Sequence, residues 1–374
     1  MYFCRKNHSL YIHEKNNWTQ FYWNEKEVSP LIEDASRNIG RLYGRLELLG
    51  FETQLQAVAE NMSEDLIRSS EIEGVSLNTD EVRSSVARHL GIESMLADDK
   101  MPSRAIDSLV NVIMDATQHY NEPISKERLC AWQAALFESG FAGGVKVEVG
   151  RYRSCKEQIV SGAFGRERIH YVAPAPERVE DEMGNFIEWF NKTDCQSQII
   201  RSAIAHFWLV CIHPFEDGNG RLSRLLAEIC LARGDKSKMR FYSIAASINK
   251  DKKKYYDILE TVQKGNGDIT IWLVWYVQTL LKAVETAGNH LSNTLHKTLY
   301  WNHFEGLPVS DRQRRVLNIF LDGYDAKISS HSWSKLAKCS SDTALRDLQD
   351  LAMKGMLVID NPEAKRFSYH LANV

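Results

Sequence analysis

His213-Pro214-Phe215-Glu216-Asp217-Gly218-Asn219-Gly220-Arg221-Leu222-Ser223-Arg224 places a base, an acid, two glycines and two arginines within twelve residues. Apolar helical sequence flanks it, from 204 to 212 and from 222 to 231. Gly218 and Gly220 let the backbone turn tightly and leave its N–H groups bare. Because a helix begins directly after this turn, those N–H groups lie at a helix N-terminus, where anions are favoured. The stretch therefore predicts a seat for a phosphate group.

Four side chains of the stretch extend this prediction. Arg221 and Arg224 reach further phosphate oxygens from the first turns of the helix. Asp217 supplies a hard oxygen ligand of the kind that Mg²⁺ takes when it bridges phosphates. An N-cap role for the same carboxylate is the structural alternative. His213 stands at the entrance of the loop, where it can accept a proton near neutral pH.

The stretch resembles the signature of the Fic family, HxFx(D/E)GNGRxxR, with every defined position filled. The resemblance implies a mainly α-helical fold, with a Fic-type bundle core and a β-hairpin flap. It also implies Mg²⁺-dependent transfer of AMP from ATP to a Ser, Thr or Tyr hydroxyl of a protein, including the chain itself. His213 would deprotonate that hydroxyl, which attacks the α-phosphorus and expels pyrophosphate. The residues that would bind the nucleotide and its Mg²⁺ are Asp217, Gly218, Asn219, Gly220, Arg221 and Arg224. Asp217 would hold the ion through its carboxylate.

Three neighbouring side chains are interpreted as structural. Phe215 is expected to anchor the loop on the core, and Glu216 is expected to be solvated. His206 lies seven residues before His213 on one helix face. A metal-binding pair would need closer spacing, so we interpret His206 either as a core histidine or as one that supports the residues of the site.

Ser69-Ser70-Glu71-Ile72-Glu73-Gly74 is the second signal. Taken alone it is an ordinary helix end with Gly74 at the C-cap. The Fic family, however, has an inhibitory motif, (S/T)xxxE(G/N), which Ser69, Glu73 and Gly74 match. The resemblance implies that Glu73 pairs with Arg224, which would otherwise hold the ATP γ-phosphate. ATP would then bind poorly or in an unproductive pose, and the enzyme would be autoinhibited.

Helical periodicity is lost between residues 140 and 176, where glycines and alternating apolar residues indicate a loop and a β-hairpin. A plain surface hairpin is one interpretation of residues 159–171. The resemblance implies the other, a flap that pairs with the backbone of the target protein. Gly150-Arg151-Tyr152-Arg153 resembles the family's G-x-Y-R segment and is interpreted as scaffold near the site. By the same resemblance Asn249 and Tyr256 line the adenine or ribose, while an N-cap or core role stays open.

The chain is expected to have three parts: an N-terminal helical domain (1–100) with the inhibitory motif, a catalytic core (101–290) and a winged helix (305–374). Asn78 and Glu81 form a candidate capping box in the first part. The composition shifts at 289–308, and the tail then gives three helices and a strand pair, the order of a winged helix-turn-helix.

The last of those helices, Ser340 to Lys354, begins with a stretch, Ser340–Leu348, that looks like a recognition helix, but the charge of the helix is unfavourable for DNA. Its charged residues and those of the wing are Asp342, Asp347, Asp350, Arg346, Lys354, Lys365 and Arg366. DNA binding is therefore not favoured. We interpret this domain as a surface for target recognition or for contact with a second copy in a homodimer.

Composition is that of a soluble globular protein of 374 residues, 44% hydrophobic and 25% charged, with a net charge of −3. This balance predicts no bulk attraction to nucleic acid or membrane. The seven cysteines are scattered without a CxxC pair, which argues against a zinc site or a disulfide framework. Reduced thiols predict a cytoplasmic location. No apolar run approaches the ~18 residues of a membrane span.

Two rival functions remain open at this stage. In the first, the main reaction is the removal of AMP from a modified protein, with Glu73 orienting a water. In the second, a DNA-binding regulator uses the core as a nucleotide sensor. Related folds also transfer UMP and phosphocholine, so the assignment of ATP depends on the resemblance.

Overall fold

The computed structural model describes residues 11–92, 101–162, 166–192, 197–361 and 367–373. Helices dominate, as predicted, and the strands are few and short. The chain divides into two compact units, Met1–Glu285 and Thr286–Val374. No helix in the described ranges combines the length and the apolar character needed to cross a membrane.

The helices that begin in the first unit follow one another along the chain after a 3₁₀ turn at Ile12–Glu14. They are α1 (Glu25–Leu46), α2 (Phe51–Ile72), α3 (Thr79–Leu90), α4 (Arg104–Gln118), α5 (Lys126–Leu136), α6 (Pro176–Asn191), α7 (Gln198–Ile212), α8 (Asn219–Asp235), α9 (Ile244–Lys250), α10 (Lys252–Gln263) and α11 (Thr270–His303). Two antiparallel hairpins interrupt them between α5 and α6. Their strands are β1 (Phe141–Ala142), β2 (Val145–Lys146), β3 (Gln158–Ser161) and β4 (Arg168–Val172).

The core of the first unit is built around α7, whose residues from 199 to 212 are all buried. This helix is apolar on every side, which is the pattern of a helix surrounded by others. Aromatic rings pack around it: Trp208 lies edge-on to Phe186, with centroids 5.5 Å apart, and His206 lies edge-on to Trp272 at 5.2 Å. The core interpretation of His206 fits this position, because its Nε2 is 2.8 Å from the Tyr255 hydroxyl. This packing fixes the position of the C-terminal end of α7.

The predicted capping box at the start of α3 is half right. Asn78 caps the helix, since its Oδ1 accepts from the backbone N–H groups of Asp80 and Glu81. The Glu81 carboxylate, however, accepts from the backbone N–H of Ser103 at 3.0 Å. The acid therefore ties α3 to the start of the next helix, a contact that local spacing does not reveal.

The composition shift at 289–308 does not mark a linker along its whole length. Helix α11 continues through it to His303, across the division of the chain at 285/286 and across the expected core boundary at 290. The predicted three-part organisation otherwise stays a prediction.

The second unit contains α12 (Asp311–Leu321), α13 (Ser330–Ala337), α14 (Ser341–Met353), β5 (Leu357–Ile359) and β6 (Tyr369–Leu371), in the predicted order. Its own core includes Leu348, Leu351 and Trp333. Of the acids expected to oppose DNA binding, Asp347 points inward and accepts two hydrogen bonds from Arg312 at 2.8 Å. Asp350 accepts one from Gln313, but its side chain is 39% exposed. The charge argument against DNA thus retains Asp342 and Asp350. Lys365 and Arg366, expected on the wing, lie outside the described residues.

Candidate functional site

The loop between α7 and α8 begins with a backbone conformation that few residues adopt. His213 has a φ of +52°, in the left-handed region, and its N–H donates to the carbonyl of Leu209 at 2.9 Å. A non-glycine residue pays a steric cost in this region, which persists only when surrounding contacts impose it. This backbone conformation turns the chain, and with it the His213 imidazole, away from the path that α7 would continue.

The His213 imidazole is half-buried and is held in one orientation. Its Nδ1 lies 3.3 Å from the carbonyl oxygen of Val210, so Nδ1 carries the hydrogen and Nε2 keeps its lone pair. Burial lowers the pKa of His213 to about 4, although the nearby Glu73 carboxylate raises it in part. The ring is therefore neutral at physiological pH and can accept a proton at Nε2.

Arg153 holds the loop in this conformation through hydrogen bonds to its backbone carbonyl groups. Its Nε donates to the carbonyl of His213 at 2.7 Å, and its backbone N–H donates to the carbonyl of Pro214 at 2.9 Å. Its two terminal nitrogens donate to the carbonyls of Cys155 and Pro174. Only 3% of Arg153 is exposed. The sequence predicts a scaffold role for the G-x-Y-R segment, and two of its residues contact the loop: Arg153 through these hydrogen bonds and Tyr152 through the Phe215 ring, at 5.4 Å.

Asn219 closes the loop through its side chain. Its Oδ1 accepts from the N–H of Phe215 at 3.0 Å, and its Nδ2 donates to the carbonyl of the same residue at 2.7 Å. Phe215 itself is fully buried, in agreement with its predicted role as an anchor. The side-chain amide of Asn219 therefore holds the loop closed. The group that Asn219 can offer to an anion is its backbone N–H, at the start of α8.

A second amide, which the sequence did not single out, supports the loop from α5. The Gln133 side chain is fully buried, accepts from the N–H of Gly150 at 2.7 Å and donates to the carbonyl of Asp217 at 3.4 Å. A glutamine inside a helix gives no sequence signal for such a role. It is recognisable only once the fold brings α5 beside the loop.

The two acids of the loop differ in their surroundings. The expectation of a solvated Glu216 is wrong: the side chain is half-buried, and its Oε2 accepts from the backbone N–H of Glu148 at 2.8 Å. Asp217 accepts from the N–H of Gly218 at 2.6 Å through Oδ1. Gly218, rather than Asp217, occupies the N-cap position of α8.

The two glycines serve different purposes. Gly218 has a φ of +92°, and a Cβ there would lie 3.0 Å from the Phe137 ring. Gly220 lies inside α8 with ordinary helical backbone, so the predicted need for a turn is wrong at this position. A Cβ on Gly220 would lie 2.2 Å from Glu73 Oε1 and 3.2 Å from Arg224 Nη1. Gly220 therefore provides space for a ligand group above the helix.

Arg221 and Arg224 lie in the first turns of α8, where the amides of 219–221 have no carbonyl within the helix to bond. Both side chains are buried, at 9% and 4% exposure. Arg221 stacks its guanidinium on the Phe137 ring at 4.7 Å. In the described part of the chain, Arg221 Nε and Arg224 Nη1 are buried donors without an acceptor. Such donors are costly unless an anion satisfies them.

Glu73 and Arg224, 151 residues apart, meet in this site. Arg224 Nη2 donates to Glu73 Oε1 at 2.7 Å, and Arg224 also donates to the hydroxyl and the carbonyl of Ser69. Burial raises the pKa of the Glu73 carboxyl, but the neighbouring Arg224 and Arg221 outweigh it and lower that pKa. Gly74 ends α2 with a φ of +78°. Ser69 and Glu73 thus both bond to Arg224, and the inhibitory role of the motif stays a prediction.

Asn249 and Tyr256, expected near a nucleoside, contact the end of α2 instead. Asn249 lies inside α9 and not at a cap, and its Nδ2 donates to Glu71 Oε2 at 2.8 Å. The Tyr256 hydroxyl donates to the carbonyl of Ile72 at 3.3 Å. The contact with a base or ribose stays a prediction.

The predicted hairpin is present as β3 and β4, with a register shift between Ile159 and Val160. Its outer face is exposed, with Val160 at 46% and Ile169 at 45%. Residues 163–165, which belong to the predicted hairpin, lie outside the described residues.

Comparison with known sequences gives two matches to family profiles. The profile of the Fic/DOC family matches residues 123–231, and that of a domain of unknown function, DUF4172, matches residues 11–92. The protein adenylyltransferase Fic of Nematostella vectensis is 26% identical over 216 residues, which are 57% of this chain and 46% of that protein. The protein adenylyltransferase fic-1 of Caenorhabditis briggsae is 38% identical over 89 residues, 23% and 16% of the two chains. The chain spans less than half the length of these curated relatives.

Two solved structures resemble most of the fold. A Fic family protein from Desulfovibrio desulfuricans G20 has a TM-score of 0.53 at 21% identity and covers 92% of this chain and 97% of its own. Fic-1 of C. elegans, residues 134–508, has a TM-score of 0.50 at 22% identity and covers 72% and 74%. These likenesses confirm the predicted fold class.

Proposed function

We propose, on the premise that residues 123–231 form a domain of the Fic/DOC family, that this chain is a protein adenylyltransferase. It would transfer AMP from ATP to the hydroxyl of a Ser, Thr or Tyr side chain, in a target protein or in itself. The observation that carries the proposal is the pair of buried, unsatisfied guanidinium donors, Arg221 Nε and Arg224 Nη1, among the described residues at the start of α8. They suit a polyanion such as a triphosphate.

The chemistry follows from the loop. Nε2 of His213 takes the proton of the acceptor hydroxyl, and the hydroxyl oxygen attacks the α-phosphorus. The bond from that phosphorus to the β-phosphate oxygen breaks, and pyrophosphate leaves. The low pKa of His213 keeps the ring in its proton-accepting form at neutral pH. The hydrogen bond from Nδ1 to Val210 keeps Nε2 directed away from the helix.

Mg²⁺ is part of the proposal, and Asp217 would hold it. One carboxylate oxygen of Asp217 accepts from Gly218, which leaves the second oxygen for an ion. The described residues contain no group of three or more His, Cys, Asp or Glu side chains suited to a metal. The remaining ligands would thus be phosphate oxygens and water, a usual arrangement for Mg²⁺. When bound, the ion neutralises charge on the phosphates.

We further propose that Glu73 inhibits the reaction. Its carboxylate takes the Arg224 donor that a γ-phosphate would need, and its Oε1 occupies the space above Gly220. Ser69 holds the same guanidinium from the other side. The hairpin of β3 and β4 would present the target by strand pairing at an edge, since the described sheet consists of these two strands alone. The proposed location is the cytoplasm, for which scattered cysteines are suited.

The test uses the full chain with labelled ATP, GTP, UTP and CTP in lysate, and locates the label by mass spectrometry. Glu73→Gly should transfer label from ATP at a rate at least about tenfold above the wild type, because one competing charged hydrogen bond is removed. His213→Ala in the same background should abolish transfer. Glu60→Gln, on the exposed side of the same helix α2, is the matched control and should behave as the wild type.

Each alternative has a distinct result. Equal transfer by the wild type and Glu73→Gly under matched ATP would remove the inhibitory role. Label arriving from UTP or another nucleotide would replace ATP as donor. Release of AMP from a modified target by the wild type, but not by Glu73→Gly, would instead indicate the hydrolytic direction.

A further inference from the structure

Three basic groups converge on one carboxylate beside the β3–β4 hairpin. Glu260, on α10, accepts from Arg168 at 2.8 Å, from His170 at 2.5 Å and from Lys264 at 2.5 Å. Arg168 and His170 are residues of β4, whereas Lys264 follows α10 directly. The carboxylate therefore joins the hairpin to a helix of the core.

His170 extends this connection to the second strand. A carboxylate can only accept hydrogen bonds, so His170 donates to Glu260 through Nδ1. Its Nε2 forms a hydrogen bond with the Ser161 hydroxyl on β3, at 2.6 Å. The order Ser161, His170, Glu260 runs across both strands and ends on α10.

The surroundings of Glu260 keep its carboxylate negatively charged. The Glu260 side chain is 15% exposed, in contrast to 70% for Arg168. Burial raises the pKa of Glu260, but the hydrogen bonds from Lys264, His170 and Arg168 outweigh it and lower that pKa to about 2. The carboxylate is thus ionised throughout the physiological range and remains an acceptor for all its partners.

The hairpin needs an external support. A two-stranded hairpin is marginally stable by itself. Its base is fixed where the Tyr171 hydroxyl donates to the carbonyl of Cys211 on α7 at 2.8 Å. Further out, Arg168 bonds directly to Glu260 on α10, and Ser161 is connected to Glu260 through His170. Strand pairing with an incoming peptide requires an edge whose position is already fixed, because otherwise binding also has to order it.

We propose that Glu260 is a positioning residue for the protein acceptor, which acts by fixing the β3–β4 hairpin against α10 through His170 and Arg168. The inference rests on the proposed function for its consequence, the presentation of a target hydroxyl to His213. In this proposal Glu260 itself contacts neither the nucleotide nor the acceptor hydroxyl. Loss of the carboxylate should therefore impair use of the acceptor and leave the handling of ATP unchanged.

The first experiment measures hydrogen exchange of the full chain without nucleotide. Glu260→Gln should speed exchange of the amides in 158–161 and 168–172 at least about fivefold, because local opening there becomes easier. Amides of α7 and α8 should exchange as in the wild type. Arg168→Gln, which removes one exposed partner, should have a smaller effect on the same amides. Glu180→Gln, which breaks an exposed ion pair with Lys126, is the matched control. Unchanged exchange in the hairpin for both variants would overturn the proposal.

The second experiment separates positioning from general damage. Glu73→Gly is used as enzyme with labelled ATP, and the His213→Ala chain is the acceptor at increasing concentration. Adding Glu260→Gln to the enzyme should raise the acceptor KM about tenfold, as expected for a displaced substrate, and leave the ATP KM unchanged. Glu260→Asp, which keeps the charge, should restore part of the loss. An equal rise in both KM values, or none in either, would overturn the role.

The two experiments also separate this inference from the proposed function. If no nucleotide is transferred but the hairpin amides respond to Glu260→Gln, the anchoring stands and the transferase proposal fails. If AMP is transferred and the hairpin does not respond, the anchoring fails alone.

Discussion

At the scale of single residues, the most consequential position is one without a side chain. Gly220 has ordinary helical backbone, so its value lies in the room it leaves for Glu73 Oε1 and Arg224 Nη1. A glycine inside a helix costs about 1 kcal/mol relative to alanine. The chain accepts this cost where a carboxylate now lies and where, in our proposal, a phosphate would lie.

A double-mutant cycle tests this account of Gly220. In the wild type, Gly220→Ala should lower the free energy of unfolding by about 1–3 kcal/mol, because the new Cβ displaces Glu73 from Arg224. In the Glu73→Gly background the same change should be neutral or stabilising, since helix propensity improves. Chemical denaturation gives the coupling energy, which should be at least about 1 kcal/mol. Equal effects in the two backgrounds would show that Gly220 serves another purpose.

The pH dependence of transfer follows from His213. Its folded pKa of about 4 lies below the ordinary value of 6.5, so the folded ring stays neutral from neutral pH down to about 4. With Glu73→Gly as enzyme, kcat/KM should therefore hold down to about pH 5, with its acid limb near or below 4, because removing Glu73 lowers the pKa further. The free energy of unfolding responds to acid at a higher pH than transfer does. Below a pH of about 6.5 the unfolded imidazole binds a proton, whereas the folded imidazole stays neutral down to about pH 4. Acid therefore lowers the free energy of unfolding over this range. An NMR titration of His213 near 6.5 would contradict both statements.

At the scale of elements, the C-terminal end of α2 is held by a set of contacts separate from the Glu73–Arg224 pair. Asn249 donates to the Glu71 carboxylate at 2.8 Å, and Tyr256 donates to the carbonyl of Ile72. The junction of α9 and α10 therefore supports the segment that carries Glu73. These contacts explain how a side chain at a helix end keeps its place in the site.

Breaking this support should weaken inhibition. Glu71→Ala removes the hydrogen bond from Asn249 and also an exposed ion pair with Arg68 within α2. In the otherwise wild-type chain it should raise basal transfer at least about fivefold, equivalent to about 1 kcal/mol. In the Glu73→Gly background it should change nothing, since the inhibitory carboxylate is already gone. Asn249→Ala is the informative companion. A fall in transfer in the Glu73→Gly background would support the predicted nucleoside contact, whereas no change would restrict Asn249 to the support of α2. Reduced transfer by Glu71→Ala in both backgrounds would contradict this interpretation.

Most elements could be predicted because their signals are local. Apolar helical sequence on either side of the signature loop located α7 and α8. Glycines and alternating apolar residues indicated one β-hairpin, whereas the structure has two between α5 and α6. Contacts made by the fold were beyond local signals: Glu81 bonds to Ser103, and Gln133 supports a loop 84 residues away. The pair of Glu73 and Arg224 was foreseen because a family resemblance, unlike spacing, carries information about distant contacts.

At the scale of the whole molecule, each compact unit has its own buried core. In the second unit Leu348 and Leu351 of α14 pack with Trp333 and are fully buried, whereas Leu345 on the same helix is 38% exposed. Units with separate cores are expected to unfold in separate steps. The predicted winged helix concerns this second unit, and its order of three helices and a strand pair supports that prediction without testing what it binds.

Calorimetry of the full chain should therefore show two transitions. Leu348→Ala should lower one of them, with a loss of about 2–5 kcal/mol from the cavity it leaves, and should not move the other. Leu345→Ala, its exposed neighbour, should change neither by more than about 0.5 kcal/mol. A single transition, lowered as a whole by Leu348→Ala, would show that the two cores unfold together.

The unequal exposure of one ion pair has a consequence for how the enzyme would be regulated. The Arg224 side chain is 4% exposed, but its partner Glu73 is 26% exposed and reaches in from the end of a helix. A carboxylate so placed can swing into solvent by side-chain rotation, on a timescale of picoseconds to nanoseconds, with α2 still docked. Entry of a triphosphate would then be a contest decided by mass action, so the cell's nucleotide level would itself set the proportion of chains that are unblocked.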